Sequence, residues 1–432
     1  MLPNPTSVHD LGQKMTNSES SNDKQSLSKL GSLAILGQCF YTGTNFLTAV
    51  LVGRWGGAVD LGEYSLAFSI AMILYALQRA ILIAPFVVIK NKFDSEKQKE
   101  IRGSIVACTV LFATAGMSVL LAIGYTLNLT IAYALAFTLF AGLLRELVRQ
   151  LAIAELSFLR SLVIDVTASV IQLTMIVAVS FTTGAIQAEF AIICIGVACA
   201  VVAAGAIFHC RSEYTFRRHS FLGDLALLWP VGRWVGVSQM LATAQAFLMP
   251  WIMALCHSIE LAGIYAACWT LVQFVSPAIE AIGNVLNSAL AFSVEQRNWA
   301  EMRSRVLTTS VIFAAIMGGV LILAVIFGHA ALLKIYGTDF ANHSQILIVL
   351  AISAAISSLG FPMAKLLIHL GYAAHNFGIV LVTLIASAIA ALILLPSIGV
   401  SGAAWALVLG ATVATLSRLA LFVRCMNRRM LL

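Results

Sequence analysis

Apolar stretches of about 20 residues, separated by short polar or charged segments, fill the chain from residue 33 onward. Runs of this length with few charges are typical of membrane-spanning helices. The apolar residues do not alternate with a period of two, as they would in the strands of a membrane barrel. Since backbone groups in hydrocarbon must be paired within a helix or a closed barrel, the pattern predicts helices.

The predicted fold is an all-α integral membrane protein of about twelve transmembrane helices. The spans cover residues 33–52, 66–89, 103–123, 130–147, 162–181, 189–209, 229–255, 263–288, 306–327, 344–361, 375–395 and 401–423. They predict one six-helix bundle over residues 29–222 and a second over residues 223–424. The polar residues 1–28 are expected to form a disordered tail, and residues 425–432 a short basic tail.

Composition excludes a soluble protein. Hydrophobic residues make up 60% of the chain and charged residues 10%, whereas soluble domains are about 25% charged. The net charge is +7, but no basic cluster is interleaved with stacking aromatic residues. We therefore expect no nucleic-acid partner.

Lysine and arginine are strongly biased toward one side of the predicted membrane. When loops are assigned alternately to two sides, 22 of the 26 basic residues fall on the side of the N-terminus. Only Arg54 and Lys334 fall on the other side, and Arg79 and Arg233 lie inside spans. Because positive loops stay in the cytoplasm, both termini are predicted to be cytoplasmic.

The two predicted bundles resemble each other at an offset of 201 residues. Residues 60–67 read DLGEYSLA and residues 260–267 read ELAGIYAA, each in a short outer loop before an even-numbered span. The offset of 201 pairs Gly62 with Gly263 and Tyr64 with Tyr265. The same offset pairs Gln38 with Gln239 and Phe46 with Phe247. Such repeats are common in transporters, and this one predicts two parallel, pseudo-symmetric bundles around a central cavity.

Two opposite charges occupy matching positions of the repeat, Arg79 in span 2 and Glu280 in span 8. A charge at the bilayer centre costs about 2.5–3.5 kcal/mol, so each should face water or an opposite charge. We predict that both face the central cavity, where they could pair, with Glu280 as a coupling or gating group. The alternative is that both side chains extend to solvent at the cytoplasmic membrane surface.

Arg233 is a third candidate, at the predicted start of span 7 beside Pro230 and Gly232, which would loosen the helix there. Its alternative role is an ordinary interfacial anchor.

Polar and proline residues complete the candidate site. Asn45, Gln38 and Gln239 are candidate substrate-binding residues, although each could equally form a bond between helices. Pro85 and Pro277 interrupt corresponding helices of the two halves, and kinks there suit a cavity that opens by bending.

The sequence lacks the common nucleotide-binding and metal-site motifs. The sequence contains no GxxxxGK[ST] nucleotide-binding loop, no HExxH and no CxxC among its eight cysteines. No outer loop is longer than about 16 residues, too short to hold glycan donors and acceptors. We therefore expect a transporter and no enzyme, with no metal and no cofactor.

Three short motifs resemble those of a known superfamily. Residues 395–406, LPSIGVSGAAWA, are similar to the P-x-x-G-x-x-G-A-A-x-A turn of polysaccharide transporters. Residues 60–67 resemble the stretch that opens their second helix, and residues 333–340 resemble their loop after helix 9. The chain thus resembles the O-antigen flippase-like branch of the multidrug/oligosaccharidyl-lipid/polysaccharide exporter superfamily.

The resemblance implies a flippase in the bacterial cytoplasmic (inner) membrane. Its partner would be a polyprenyl-diphosphate-linked oligosaccharide, such as a repeat unit of O-antigen, lipopolysaccharide, capsule or exopolysaccharide. The lipid tail would stay among the membrane lipids, while Arg79 and Arg233 contact phosphates or acidic sugars. Glu280 would hold an arginine until substrate competes for it, or bind a coupling proton; sodium is the other candidate ion.

Two other functions compete. A cation-coupled multidrug antiporter of the same superfamily would need an acidic residue in the membrane, and Glu280 is the candidate, with Asp165 and Glu189 nearer to span ends. A membrane glycan polymerase or ligase ranks third because of the short outer loops.

Overall fold

The computed structural model describes residues 5–430, and within them the chain is helical with short turns and no strand. Fourteen α-helices follow one another along the chain. They are α1 (Pro5–Gln78), α2 (Ala84–Ile89), α3 (Ser95–Leu127), α4 (Thr130–Ala154), α5 (Phe158–Thr183), α6 (Ala188–His209), α7 (Phe221–Cys256), α8 (Ile259–Gln273), α9 (Ser276–Glu295), α10 (Trp299–Ile335), α11 (Thr338–Ala341), α12 (Ser344–His369), α13 (Ala373–Ile398) and α14 (Val400–Met430). A π-helical turn, Arg79–Ile83, joins α1 to α2.

The predicted number of spans is confirmed. Ten helices in the described residues are long and apolar enough to cross a membrane, or eleven if the bent pair α8 and α9 counts as one span. One of them, Leu36–Lys92, is 57 residues long, and α1 breaks within it at Gly57, where φ is +86°. A helix rises about 1.5 Å per residue, so this stretch is long enough to cross a bilayer twice. Counting it as two gives the twelve spans.

Helix starts differ from the sequence prediction at two places. Residues 1–4 lie outside the described residues, but α1 begins at Pro5, so the backbone is helical where a disordered tail was expected. Once a helix is nucleated by its apolar part, extension costs little. Helix α7 begins at Phe221 and continues through Pro230, so this proline lies inside the helix and not at its start.

Small residues allow the helices of the first half to pack closely. A Cβ on Gly196 of α6 would lie 2.5 Å from the Thr138 hydroxyl of α4. That hydroxyl instead donates a hydrogen bond of 2.7 Å to the Ile192 carbonyl oxygen. Such contacts replace the hydrophobic driving force that is missing between helices in lipid.

The two ends of the helix bundle differ. We call the end that carries Lys90–Lys92, Arg160 and the connector 210–220 the basic end, and the end at Gly57 the closed end. At the basic end the connector is tied to α3, because the Thr215 amide donates to the Lys99 carbonyl oxygen over 3.1 Å. The buried carboxylate of Asp224 in α7 accepts from Ser104 and pairs with Lys97, each at 2.7 Å.

Candidate functional site

A cavity lies between the two halves and has two adjoining parts. The polar part, about 480 Å³, reaches from the middle of the bundle toward the basic end. The apolar part, about 780 Å³, lies toward the closed end. Both parts are lined by Met72, Pro277, Glu280 and Ala281, so Glu280 lies where the polar surface gives way to the apolar one.

A break in the helix presents Arg79 to this cavity. Arg79 is the first residue of the π-helical turn, and Pro85 follows at the start of α2. Proline has no amide proton, so the carbonyl oxygen of Ile81, four residues earlier, loses its helical partner. Gly232 of α7 packs there, since a Cβ on it would lie 2.7 Å from that oxygen. Irregular turns of this kind are frequent at functional sites.

The corresponding helix of the second half is also broken. Helices α8 and α9 meet at 48°, and Pro277 lies in the first turn of α9. Because proline cannot continue a helical hydrogen-bond ladder, a new helix begins here. Its second turn carries Glu280 into the cavity, where the carboxylate accepts a 3.3 Å hydrogen bond from the Gln38 amide.

The inner wall of the first half carries a buried ionic cluster, which we call the Asp165 cluster: Arg145, Glu146, Arg149 and Asp165. The Asp165 side chain is fully buried. It accepts from Arg145 at 2.7 Å and from Arg149 at 2.8 and 2.9 Å. Glu146 lies 3.7 Å from Arg149. Two guanidinium groups and two carboxylates thus balance in charge.

Gln38 connects this cluster to the second half. Its side-chain oxygen accepts from Arg149 over 3.4 Å, while its nitrogen donates to Glu280 over 3.3 Å. The amide therefore has its acceptor toward a cation and its donor toward an anion. The two halves are joined across the polar part of the cavity by a neutral side chain.

Arg79 remains available within the cavity. Its side chain is exposed, and it lies within electrostatic reach of both Glu146 and Glu280. Over the described residues it forms no ion pair within 4.0 Å, with Glu280 or with any other acid. The acids of the Asp165 cluster are already engaged by Arg145 and Arg149. The polar part therefore holds one exposed cation, with Glu280 as its opposing carboxylate.

Aromatic side chains dominate the apolar part. Phe46 contacts Phe274 with ring centres 5.1 Å apart, and Phe68 lies edge-on to Phe247 at 6.5 Å. The aromatic lining comprises Phe46, Tyr64, Phe68, Phe247, Tyr265, Trp269 and Phe274. These rings offer faces to an apolar or ring-shaped group and to an organic cation.

The structure brings together most of the residues predicted from sequence. Gln38, Arg79, Pro277 and Glu280 line the polar part, and Asn45 lines the apolar part. Pro85 is buried in α2, six residues after Arg79, and lines neither part.

Two candidates stand apart. Arg233 is an exposed residue of α7 and is not among the residues that line either part of the cavity. Gln239 lies 3.5 Å from Thr243 in its own helix and lines neither part. It therefore does not reproduce the bridge formed by Gln38.

The sequence prediction missed the Asp165 cluster. It counted Arg145 and Arg149 among the basic residues on the side of the N-terminus and did not name Glu146, although Arg145 and Glu146 are near the end of the predicted span 4, at residue 147. Helix α4 continues to Ala154. The available signal was the spacing of Arg145, Glu146 and Arg149, since residues three or four apart share a helix face.

Comparison with known proteins shows the fold. No family model matches the sequence, and neither does any curated protein. An inward-facing multidrug resistance MATE family transporter of the MOP superfamily superimposes with a TM-score of 0.78 and 14% identity, covering 92% of this chain and 99% of that one. An outward-facing MATE transporter gives 0.65 and 14%, covering 94% and 96%. The chain has the fold of these transporters.

A lipid flippase shares the same fold. The lipid II flippase MurJ, in an inward closed conformation, superimposes with a TM-score of 0.68 and 13% identity, covering 93% of this chain and 91% of that one. The superfamily expected from the sequence motifs is thus represented among the structural neighbours, by proteins that move different classes of molecule.

Proposed function

We propose that this protein is a flippase that moves a lipid-linked oligosaccharide across the bacterial cytoplasmic membrane by alternating access. The observation that carries the proposal is Arg79, an exposed guanidinium on the wall of a cavity between two halves, without an ion-pair partner among the described residues. A guanidinium binds phosphate oxygens through two parallel, charge-assisted hydrogen bonds. A diphosphate linkage is a cargo with this chemistry.

The division of the cavity fits an amphipathic head group. The diphosphate would bind Arg79 in the polar part, and sugar rings would extend along the aromatic surface of the apolar part. The polyprenyl tail would stay in the bilayer. Arg233, which lies outside both parts, would serve at most as a contact at the basic end during loading.

The proposed orientation places the basic end in the cytoplasm. The bias of lysine and arginine supports it, as does the higher TM-score with the inward-facing MATE transporter, 0.78 against 0.65 for the outward-facing one at equal identity. In this orientation the cavity would accept cargo from the side on which lipid-linked intermediates are built. No enzymatic step is part of the proposal.

The bridge through Gln38 supports a role for Glu280 in coupling. With the cavity empty, Glu280 accepts from Gln38 and faces Arg79. When an anionic head group occupies Arg79, it replaces Glu280 as the partner of that cation. We propose a proton as the coupling ion: it would bind Glu280 from the outside once the cargo has left and dissociate into the cytoplasm as the empty cavity returns.

Translocation in proteoliposomes tests the proposal. A fluorescent polyprenyl-diphosphate oligosaccharide should move in a protein-dependent manner, and Arg79→Ala should abolish the movement. Arg79→Lys should retain part of it, since a point charge replaces a bidentate contact. Arg303→Ala, at an exposed basic residue of α10, is the matched control and should transport normally. Normal transport by a well-folded Arg79→Ala protein would refute the proposed contact.

A cation-coupled multidrug antiporter is the second candidate, and Glu280 is the observation that favours it. This carboxylate is exposed in the cavity next to aromatic rings, an arrangement that also suits an organic cation. The same proteoliposomes loaded with a cationic dye decide between the two. Dye export that Glu280→Gln abolishes, without movement of any lipid-linked glycan, would establish the antiporter.

A further inference from the structure

The closed end contains a contact between the two halves that repeats itself under the offset of 201 residues. Gly62 lies in α1, five residues after the break at Gly57, and packs against the carbonyl oxygen of Ile259 in the second half. Gly263 packs against the carbonyl oxygen of Ala58. Adding 201 to Ala58 and Gly62 gives Ile259 and Gly263. Each half therefore presents the same glycine to the same backbone position of the other half.

The space around Gly62 and around Gly263 admits no side chain larger than that of glycine. A Cβ at Gly62 or at Gly263 would lie closer than 3.0 Å to a backbone oxygen of the opposite half. Backbone atoms of a helix cannot move aside as a flexible side chain can. Small residues permit this close approach of two helices, and any larger residue must push the halves apart.

Two further contacts lie beside the glycine pair. A Cβ on Gly53 would lie 2.6 Å from the ring of Tyr336 in the second half, and Tyr336 is almost fully buried. The Arg54 guanidinium donates a 3.2 Å hydrogen bond to the Leu333 carbonyl oxygen. Arg54 is one of only two basic residues that the sequence assigns to this side of the membrane.

These contacts gather three separate motifs in one place. Residues 60–67, residues 260–267 and residues 333–340 are far apart in sequence, and all three meet at the closed end. The surrounding side chains of Leu61, Tyr265 and Phe340 are each 1% exposed, so the interface excludes water. The apolar part of the cavity lies directly beneath it, lined by Leu61, Tyr64 and Tyr265.

We propose that Gly62, Gly263, Gly53, Arg54 and Tyr336 form the outer seal, and that the two-glycine contact sets the equilibrium between the state closed at this end and the state open at it. The inference rests on the alternating access of the proposed function and not on the identity of the cargo. A Cβ at either glycine removes the closed state without touching the cavity. The halves then separate at the closed end and approach at the basic end.

Distances between spin labels test the seal in the full chain, in nanodiscs without cargo. One pair uses native Cys256 in the second half and Thr182→Cys in the first, both exposed at the closed end. A second pair, Arg211→Cys and Gln296→Cys, reports the basic end. The remaining cysteines are replaced in each case. Gly62→Ala and Gly263→Ala should each shift the closed-end distances to longer values and the basic-end distances to shorter ones.

The chain offers controls in which an added Cβ would also lie closer than 3.0 Å to a backbone oxygen. A Cβ on Gly56 would collide with the Ile186 carbonyl oxygen, and one on Gly402 with that of Leu394. Each of these collisions lies within one half. Gly56→Ala and Gly402→Ala should therefore lower stability without shifting either distance. Gly205→Ala, with open space around it, should change neither quantity.

Each result supports or overturns the seal. Unchanged distances in folded Gly62→Ala and Gly263→Ala proteins overturn it, and so does an equal shift in the two controls within one half. If neither glycine variant folds, Arg54→Gln tests the seal instead. Loss of the guanidinium hydrogen bond to the Leu333 carbonyl oxygen must lengthen the closed-end distances and shorten the basic-end ones. A shift of distances in a protein that moves no glycan leaves the seal intact and refutes only the cargo assignment.

Discussion

Removing the charge of Asp165 should destabilise the protein strongly. Asn has nearly the shape of Asp, but in Asp165→Asn two buried guanidinium groups would share one neutral carbonyl oxygen. The carboxylate is fully buried and makes three contacts of 2.7–2.9 Å with Arg145 and Arg149. Breaking a buried ion pair by removing one partner costs about 3–5 kcal/mol. Asn still accepts one bond and Glu146 offsets part of the excess charge, so we expect about 3 kcal/mol.

The loss of stability is measured as the apparent melting temperature in detergent, which is monitored through the loss of monodisperse protein on heating. Glu301→Gln is the matched control, because Glu301 pairs with Arg305 at the surface with both side chains about one-third exposed. A surface pair contributes at most about 1 kcal/mol. An Asp165→Asn protein that melts no lower than Glu301→Gln would refute the reasoning, and would mean that water screens the Asp165 cluster.

Two further predictions concern single contacts. Gln38→Leu keeps the side-chain volume but removes the bridge between Arg149 and Glu280. Spin labels at the basic end should therefore report longer distances between the two halves. Unchanged distances would show that the bridge does not hold the halves together at this end. Gly142→Ala should cost about 1–3 kcal/mol through overpacking, because a Cβ there meets the Tyr75 hydroxyl. Tyr75→Phe should recover part of that loss in melting temperature, and no recovery would contradict the assigned collision.

The spans could be predicted because each is a separate apolar run. In hydrocarbon, such a run must pair its backbone groups internally, and a helix does this. Helix ends were less predictable. The apolar run predicted that span 7 starts at residue 229, with Pro230 at the helix start, yet α7 already begins at Phe221. Gly232 packs against the π-helical turn, and this contact stabilises α7 on the C-terminal side of Pro230. No sequence pattern predicts that contact.

The candidate site could be predicted where a charge interrupts an apolar run, as Arg79 and Glu280 do. It could not be predicted where charges lie near the end of a run, as Arg145 and Arg149 do, because the same residues are ordinary at a membrane surface. Whether such side chains leave the helix bundle or enter it depends on the partner helix. For Arg149 that partner is Asp165 in α5, which only the fold brings near.

The symmetric contact at the closed end has a consequence for how this chain could have arisen. Two copies of one six-helix ancestor would make the same contact as a homodimer, with each glycine against its neighbour's backbone. In that dimer both copies carry the same residue at each position, so a charge at residue 79 of one copy would face the same charge in the other. Joining the copies in one chain lets the two halves diverge, and only then can an arginine and a glutamate occupy equivalent places in one cavity.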